Sequence, residues 1–247
     1  MKTEKTYCKN YNAPVATNFC GTCGQKASVH KITFKETFQD LADSFFSVNA
    51  PFFKTLSLLF WNPGKLIREY LEGRRKTYYK PVAFFVLITV VYLLVRALID
   101  YDPFQNSTMA VSDETKQQLL VKSRNFMLLN IDKFLFLFVF NLGLLLKLFF
   151  WKKYRLAEYI AIGFYFAGIY SLFTTLNMFY VQYINPNFLF LAMCCMVLYF
   201  CYAMVSFLQR RKFWVVLKSF VLFFLAIISY GFMAFGLSFL WIYSTTR

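Results

Sequence analysis

The sequence predicts an all-α integral membrane protein, with about five transmembrane helices behind a small cytoplasmic head, and three observations carry that prediction. Of 247 residues, 59% are hydrophobic and 22% aromatic while only 16% are charged, more apolar surface than a water-soluble domain of this size can hide. The apolar residues fall in five continuous runs, which suits helices in lipid; transmembrane strands would alternate. The loops between the runs alternate between basic and charge-poor, the pattern by which a multi-pass chain sets its orientation. The net charge of +15 does not argue for nucleic acid, because Lys and Arg cluster beside the apolar runs.

The chain divides into residues 1–30, a degenerate zinc-ribbon-like segment, residues 31–80, amphipathic cytoplasmic or interfacial helices, and residues 81–247, the transmembrane domain. In the first region Cys8 opens Cys-Lys-Asn-Tyr, and Phe19-Cys20-Gly21-Thr22-Cys23-Gly24-Gln25 forms a Cys-x-x-Cys knuckle followed by glycine. Two complete knuckles make a four-cysteine zinc ribbon. Here Tyr11 stands where the second cysteine of the first knuckle is expected. Two readings stay open: a turn that has lost its metal, or zinc held by Cys8, Cys20 and Cys23 with a further donor. His30, the one histidine of the chain, is the candidate donor within it. Residues Met1 to Lys9 are polar and lack an apolar core, so no cleavable signal peptide is expected.

Phe34, Phe38, Leu41, Phe45 and Val48 recur at steps of four and three, one face of an amphipathic helix that Pro51 stops. A second apolar stretch runs from Phe52 to Trp61. Asn62-Pro63-Gly64 reads as an N-cap with proline in the first turn, starting a helix through Leu66, Ile67, Tyr70 and Leu71 that Gly73 can close. Arg74, Arg75, Lys76 and Lys80 then form a basic collar with Tyr78 and Tyr79, suited to anionic lipid headgroups at the water boundary. These helices either lie in the interface or pack on the cytoplasmic ends of the spans.

The spans are expected at about 82–99, 134–151, 157–181, 188–208 and 214–243. The last exceeds the roughly 20 residues a bilayer needs, so its first turn around Lys218 reaches into the interface or the helix tilts. Residues 1–80 carry thirteen Lys and Arg, and Lys152, Lys153 and Arg155 follow the second span as Arg210, Arg211 and Lys212 follow the fourth. The turn Gln182 to Asn187 has none, and in the segment Asp100 to Ile131 three basic residues are offset by Asp100, Asp102, Asp113 and Glu114. The expected topology therefore has a cytoplasmic N-terminus and an external C-terminus.

Cys-Lys-Asn and Asn-Phe-Cys-Gly-Thr-Cys-Gly-Gln, followed by Asn62-Pro63-Gly64-Lys65-Leu66-Ile67-Arg68-Glu69-Tyr70-Leu71-Glu72-Gly73-Arg74-Arg75-Lys76 and Tyr79-Lys80-Pro81, resemble the bacterial membrane family called domain of unknown function 3667. The resemblance covers about the first 95 residues and extends to the later spans only by hydrophobicity. It implies a zinc-ribbon-like start, a Pro-Gly helix with a basic end, a multi-span tail and a place in the bacterial inner membrane; it implies no activity. Tyr11 departs from the expected pattern.

Inside the spans little points to chemistry. Arg96, Lys147, Glu158 and Lys218 fall within reach of an interface. Asn141, Ser171, Thr174, Thr175, Asn177 and Ser229 read as helix–helix glue, and Gly163, Ala167 and Ser171 form a small-residue ridge where a helix can approach closely. Cys194, Cys195 and Cys201 read as inert packing. No zinc-protease, P-loop or nucleophile-elbow motif occurs, so no enzyme is expected. The favoured expectation is a scaffold or accessory protein whose head binds a partner or lipid headgroups; the alternative is a small-solute or lipid transporter, as a single chain or a homo-oligomer, with the polar stripe of the third span lining its route.

Overall fold

The structure is a computed structural model and describes residues 6–15, 17–27, 50–101, 115–131, 133–150, 154–209 and 212–245. The head begins with two short antiparallel strands, β1 (Thr6–Tyr7) and β2 (Pro14–Val15). Two helices follow: α1 (Ala50–Trp61), with Pro51 in its first turn, and α2 (Pro63–Leu71). Pro51 lies in the first turn of α1, where a proline leaves no intrahelical hydrogen bond unmade. Residues 28–49, including the Phe34 to Val48 face that Pro51 is expected to stop, lie outside the described residues.

The remaining helices are α3 (Pro81–Leu98), α4 (Thr115–Leu129), α5 (Leu135–Phe149), α6 (Leu156–Tyr183), α7 (Leu191–Leu208) and α8 (Lys212–Thr245), with a single 3-10 turn at Pro186–Phe188 before α7. Among the described residues α3, α6, α7 and α8 are long and apolar enough to cross a bilayer. The expected second span is shorter than its apolar run suggested: α5 has 15 residues, about 22 Å of helix against a hydrocarbon layer of roughly 30 Å. The segment 100–131, read as a loop, contains α4, which packs along α8. Phe126 stacks on Trp241 with ring centroids 6.5 Å apart, and the Tyr230 hydroxyl donates to the Ile131 carbonyl at 3.3 Å. Together α4 and α5 accompany the 34-residue α8.

α6 is the central post, with 72% of its most apolar window buried against 22% for α8. The expected small-residue ridge lies along its contacts with α3 and α5. A Cβ on Gly163 would stand 3.2 Å from the Val139 carbonyl oxygen, Ala167 is fully buried, and Ser171 lies 3.4 Å from the Thr89 hydroxyl. Asn141 on α5 donates to the Ala226 carbonyl and the Ser229 hydroxyl of α8, both at 2.9 Å. Asn177 donates to Phe188 and Leu189, which ties α6 to the turn before α7. Among the described residues, Thr174 and Thr175 bond only carbonyls one turn back in their own helix. The charges expected near interfaces find local partners: Lys147 donates to the Tyr154 carbonyl at 2.9 Å, Arg96 to that of Tyr101 at 3.1 Å, and the Arg155 amide to the Glu158 carboxylate at 2.7 Å. Lys218 is exposed.

Asn62 caps α2 as expected, its side-chain oxygen accepting from the Lys65 amide at 3.1 Å. At the other end Gly73, at φ 114, lets the Gly73 amide reach the Tyr70 carbonyl and the Arg74 amide the Glu69 carbonyl, the paired closure of a helix ending on a left-handed residue. α2 is seated on the end of α7: the Gly64 amide donates to the Ser206 hydroxyl at 3.1 Å, and Arg68 donates to the Ser206 and Phe207 carbonyls, where a helix C-terminus leaves acceptors unused. A side chain at position 64 would place its Cβ 2.1 Å from the Ser206 backbone, so only glycine fits. α1 is fixed by the Tyr199 and Tyr202 hydroxyls, which donate to the Leu59 and Trp61 carbonyls, and by the Thr55 hydroxyl, which accepts from the Tyr79 amide at 2.8 Å.

Candidate metal centre

Two turns of the same backbone build the centre. In the first, the Cys8 amide donates to the Ala13 carbonyl and the Asn12 amide to the Cys8 carbonyl; in the second, the Cys20 amide donates to Gln25 and the Gly24 amide to Cys20. The strands flanking each turn pair at equivalent places, Tyr7 with Pro14 and Phe19 with Lys26. Asn12 at φ 57 and Gly24 at φ 66 occupy the same left-handed position. By this equivalence Tyr11 occupies the place of Cys23, and its side chain is exposed.

The sulfurs of Cys8, Cys20 and Cys23 lie within 4.8 Å of one another, and those of Cys8 and Cys23 are 3.6 Å apart. Zinc–sulfur bonds of about 2.3 Å in a tetrahedron put sulfurs about 3.8 Å apart. The three thiols therefore fit a zinc ion, with one position left for a further donor. The amides of Cys23 and Thr22 hydrogen-bond the Cys20 sulfur and draw its thiol down to about 7 from the ordinary 9.0, which favours the thiolate that binds metal. Burial pushes the Cys23 thiol up. Cys8, Cys20 and Cys23 would hold the ion; His30, the expected fourth donor, lies outside the described residues. Zinc there would supply a structural cross-link between the two turns.

The centre is docked on the basic collar, and this was not foreseen. Gln25 is buried; its Nε2 donates to the Gly73 carbonyl at 2.6 Å, and its Oε1 accepts from the Lys76 amide at 3.4 Å. From the first turn, Asn10 accepts from the Thr77 hydroxyl. Of the collar cations, Arg74 pairs with Glu69 at 3.4 Å, and Glu69 also accepts from the Tyr78 hydroxyl. Burial and then Glu69 push the Tyr78 phenol well above its ordinary range. Arg75, Lys76 and Lys80 belong to the same strip, so the collar serves the head as a docking rail as well as a basic belt. A glutamine directly after a knuckle glycine was the available signal for this contact. Cys194, Cys195 and Cys201 are free thiols on α7, remote in sequence from the centre.

Helices able to cross a bilayer, capped by a head with a three-cysteine knuckle, define the class: an all-α multi-span membrane protein with a metal-ribbon-like head. Within that class, residues 50–93 match the model of the family described as protein of unknown function (DUF3667); over α1, α2, the collar and most of α3 the chain is similar to that family. No curated protein and no solved structure matches the chain.

Proposed function

We propose that this is a non-enzymatic scaffold or accessory protein of the bacterial inner membrane, with its head in the cytoplasm and its C-terminus outside, whose head binds a protein partner or acidic lipid headgroups. The observation that supports it best is the double anchorage of the head. The knuckle is bonded to the collar through Gln25 and Asn10, and α2 is bonded to the end of α7 through Gly64 and Arg68. Such a head is held in one orientation over the spans, as a presenting platform requires. A transport route between α5 and α6 is disfavoured by their close approach, since a Cβ on Gly143 would stand 2.6 Å from the Ile160 side chain.

The test has two arms. Cross-linking in membranes through an exposed head position, Tyr11, should capture a partner or lipid in the natural protein and less of it in Gln25→Ala. Reconstituted into sealed vesicles, the protein should leave ion and small-solute leakage at the level of empty vesicles; protein-dependent flux would move the assignment to the transporter. Reporter fusions at Thr245 should report the outside, and a cytoplasmic signal would overturn the orientation.

A further inference from the structure

Between the knuckle and the two short helices lies a cleft of about 490 Å³, within the range of small-ligand sites. Asn10 and Tyr11 wall it on the knuckle side, Lys54 comes from α1, Lys65 and Glu69 from α2, and Arg74 and Tyr78 from the collar. Its charge is unbalanced. Glu69 is the one carboxylate of the lining, and both its oxygens are committed, Oε1 to Arg74 and Oε2 to the Tyr78 hydroxyl. Lys54 and Lys65 are exposed and, among the described residues, have no ion-pair partner; the Lys54 ammonium stands 5.7 Å over the Tyr78 ring. Two uncompensated cations in a cleft with protein walls attract an anion more strongly than the same cations on an open surface.

The neighbouring surface indicates which anion. On α1, Phe53, Phe60 and Trp61 are exposed on the same helical face as Lys54 and Ser57, and aromatic side chains beside cations are the composition of a membrane–water boundary. We propose that this cleft binds the phosphate of an acidic phospholipid headgroup, with Lys54 and Lys65 as its cationic contacts and Tyr11 closing the side that a metal-binding cysteine would have left open. The site rests on the membrane-apposed head argued above. Its two cationic contacts are not those of the collar, which walls the cleft with Arg74 and Tyr78, because Lys54 and Lys65 come from α1 and α2.

The test uses the full chain in detergent, with binding of phosphatidylglycerol, phosphatidylcholine and inorganic phosphate each followed by native mass spectrometry. Phosphatidylglycerol should bind in preference to phosphatidylcholine. The exposed double substitution Lys54→Gln with Lys65→Gln should weaken it about 30-fold, from roughly one cation's worth of headgroup attraction each. Lys54→Arg with Lys65→Arg should retain binding, and Lys9→Gln with Lys26→Gln, exposed lysines of the head outside the cleft lining, should leave it in place. Equal binding by the natural protein and the Gln pair would overturn the site. Binding of inorganic phosphate with the same lysine dependence, without preference for the acidic lipid, would keep an anion site and overturn the lipid as its occupant. Solute flux in vesicles would overturn the scaffold reading without altering these titrations, so the two failures are separable.

Discussion

The two turns of the knuckle share a backbone and differ in what they carry. The first presents Cys8, exposed Tyr11 and left-handed Asn12; the second presents Cys20, Cys23 and left-handed Gly24. Each is fastened to the collar, the first by the side chain of Asn10 and the second by that of Gln25. A turn of this kind thus keeps its shape through its own amide–carbonyl pairs and its dock when it loses a ligand. The shape and the metal are separable properties of the segment.

The sharpest way to break this comparison is to make the turns chemically alike. Tyr11→Cys should raise zinc affinity by about two orders of magnitude, since a structural zinc site of roughly 10–16 kcal/mol shared over four ligands assigns about 3 kcal/mol to each. Competition titration against a chromogenic chelator measures it, and unchanged affinity would show that position 11 does not face the sulfurs. Next in size is the dock. Gln25→Ala leaves the buried Gly73 carbonyl without its donor and should cost about 1–3 kcal/mol locally, seen as faster amide exchange over residues 73–77; Asn10→Ala, at a more exposed contact, should have the smaller effect.

A finer contrast lies in the left-handed positions. Gly24→Ala should loosen the second turn by about 1–2 kcal/mol, while Asn12→Gly should change the first by only a few tenths; protease cleavage rates within residues 6–27 would rank them. The smallest effect is in pH. In metal-free protein, ultraviolet thiolate absorbance that is lost in Cys20→Ser should rise with a midpoint near pH 7, and that lost in Cys23→Ser only above the ordinary thiol value of 9.0. The Cys20 value is lowered in the folded turn, so its contribution to stability is fully present above the unfolded value of 9.0 and is lost as pH falls through about 7. A common midpoint for both thiols would remove the distinction.

Much of the fold was legible where one physical rule dominates. α3, α6, α7 and α8 are continuous apolar runs, and Asn62-Pro63-Gly64 announces α2 because capping chemistry is local. α4 was hidden because Lys122, Arg124 and the glutamines of Thr115–Leu129 break any apolar stripe; its partner is α8, more than a hundred residues away, where Ser123, Ala234 and Ser238 are buried. The three sulfurs could be named from spacing. The dock could not, because an amide side chain meeting a carbonyl 48 residues on leaves no periodic trace, and the cleft lysines look like ordinary surface charge until the walls around them are seen.

The seat of Gly64 on Ser206 bears on biosynthesis. The two positions are 142 residues apart in the chain, and ribosomes add about 5–20 residues per second. For roughly 7–30 seconds after α2 emerges, its docking face has no receptor. During that interval the hairpin of α1 and α2 must wait at the membrane surface with its apolar side against lipid or a chaperone. A Gly64 side chain would thus act late: the spans would insert normally and the head would fail to close onto them.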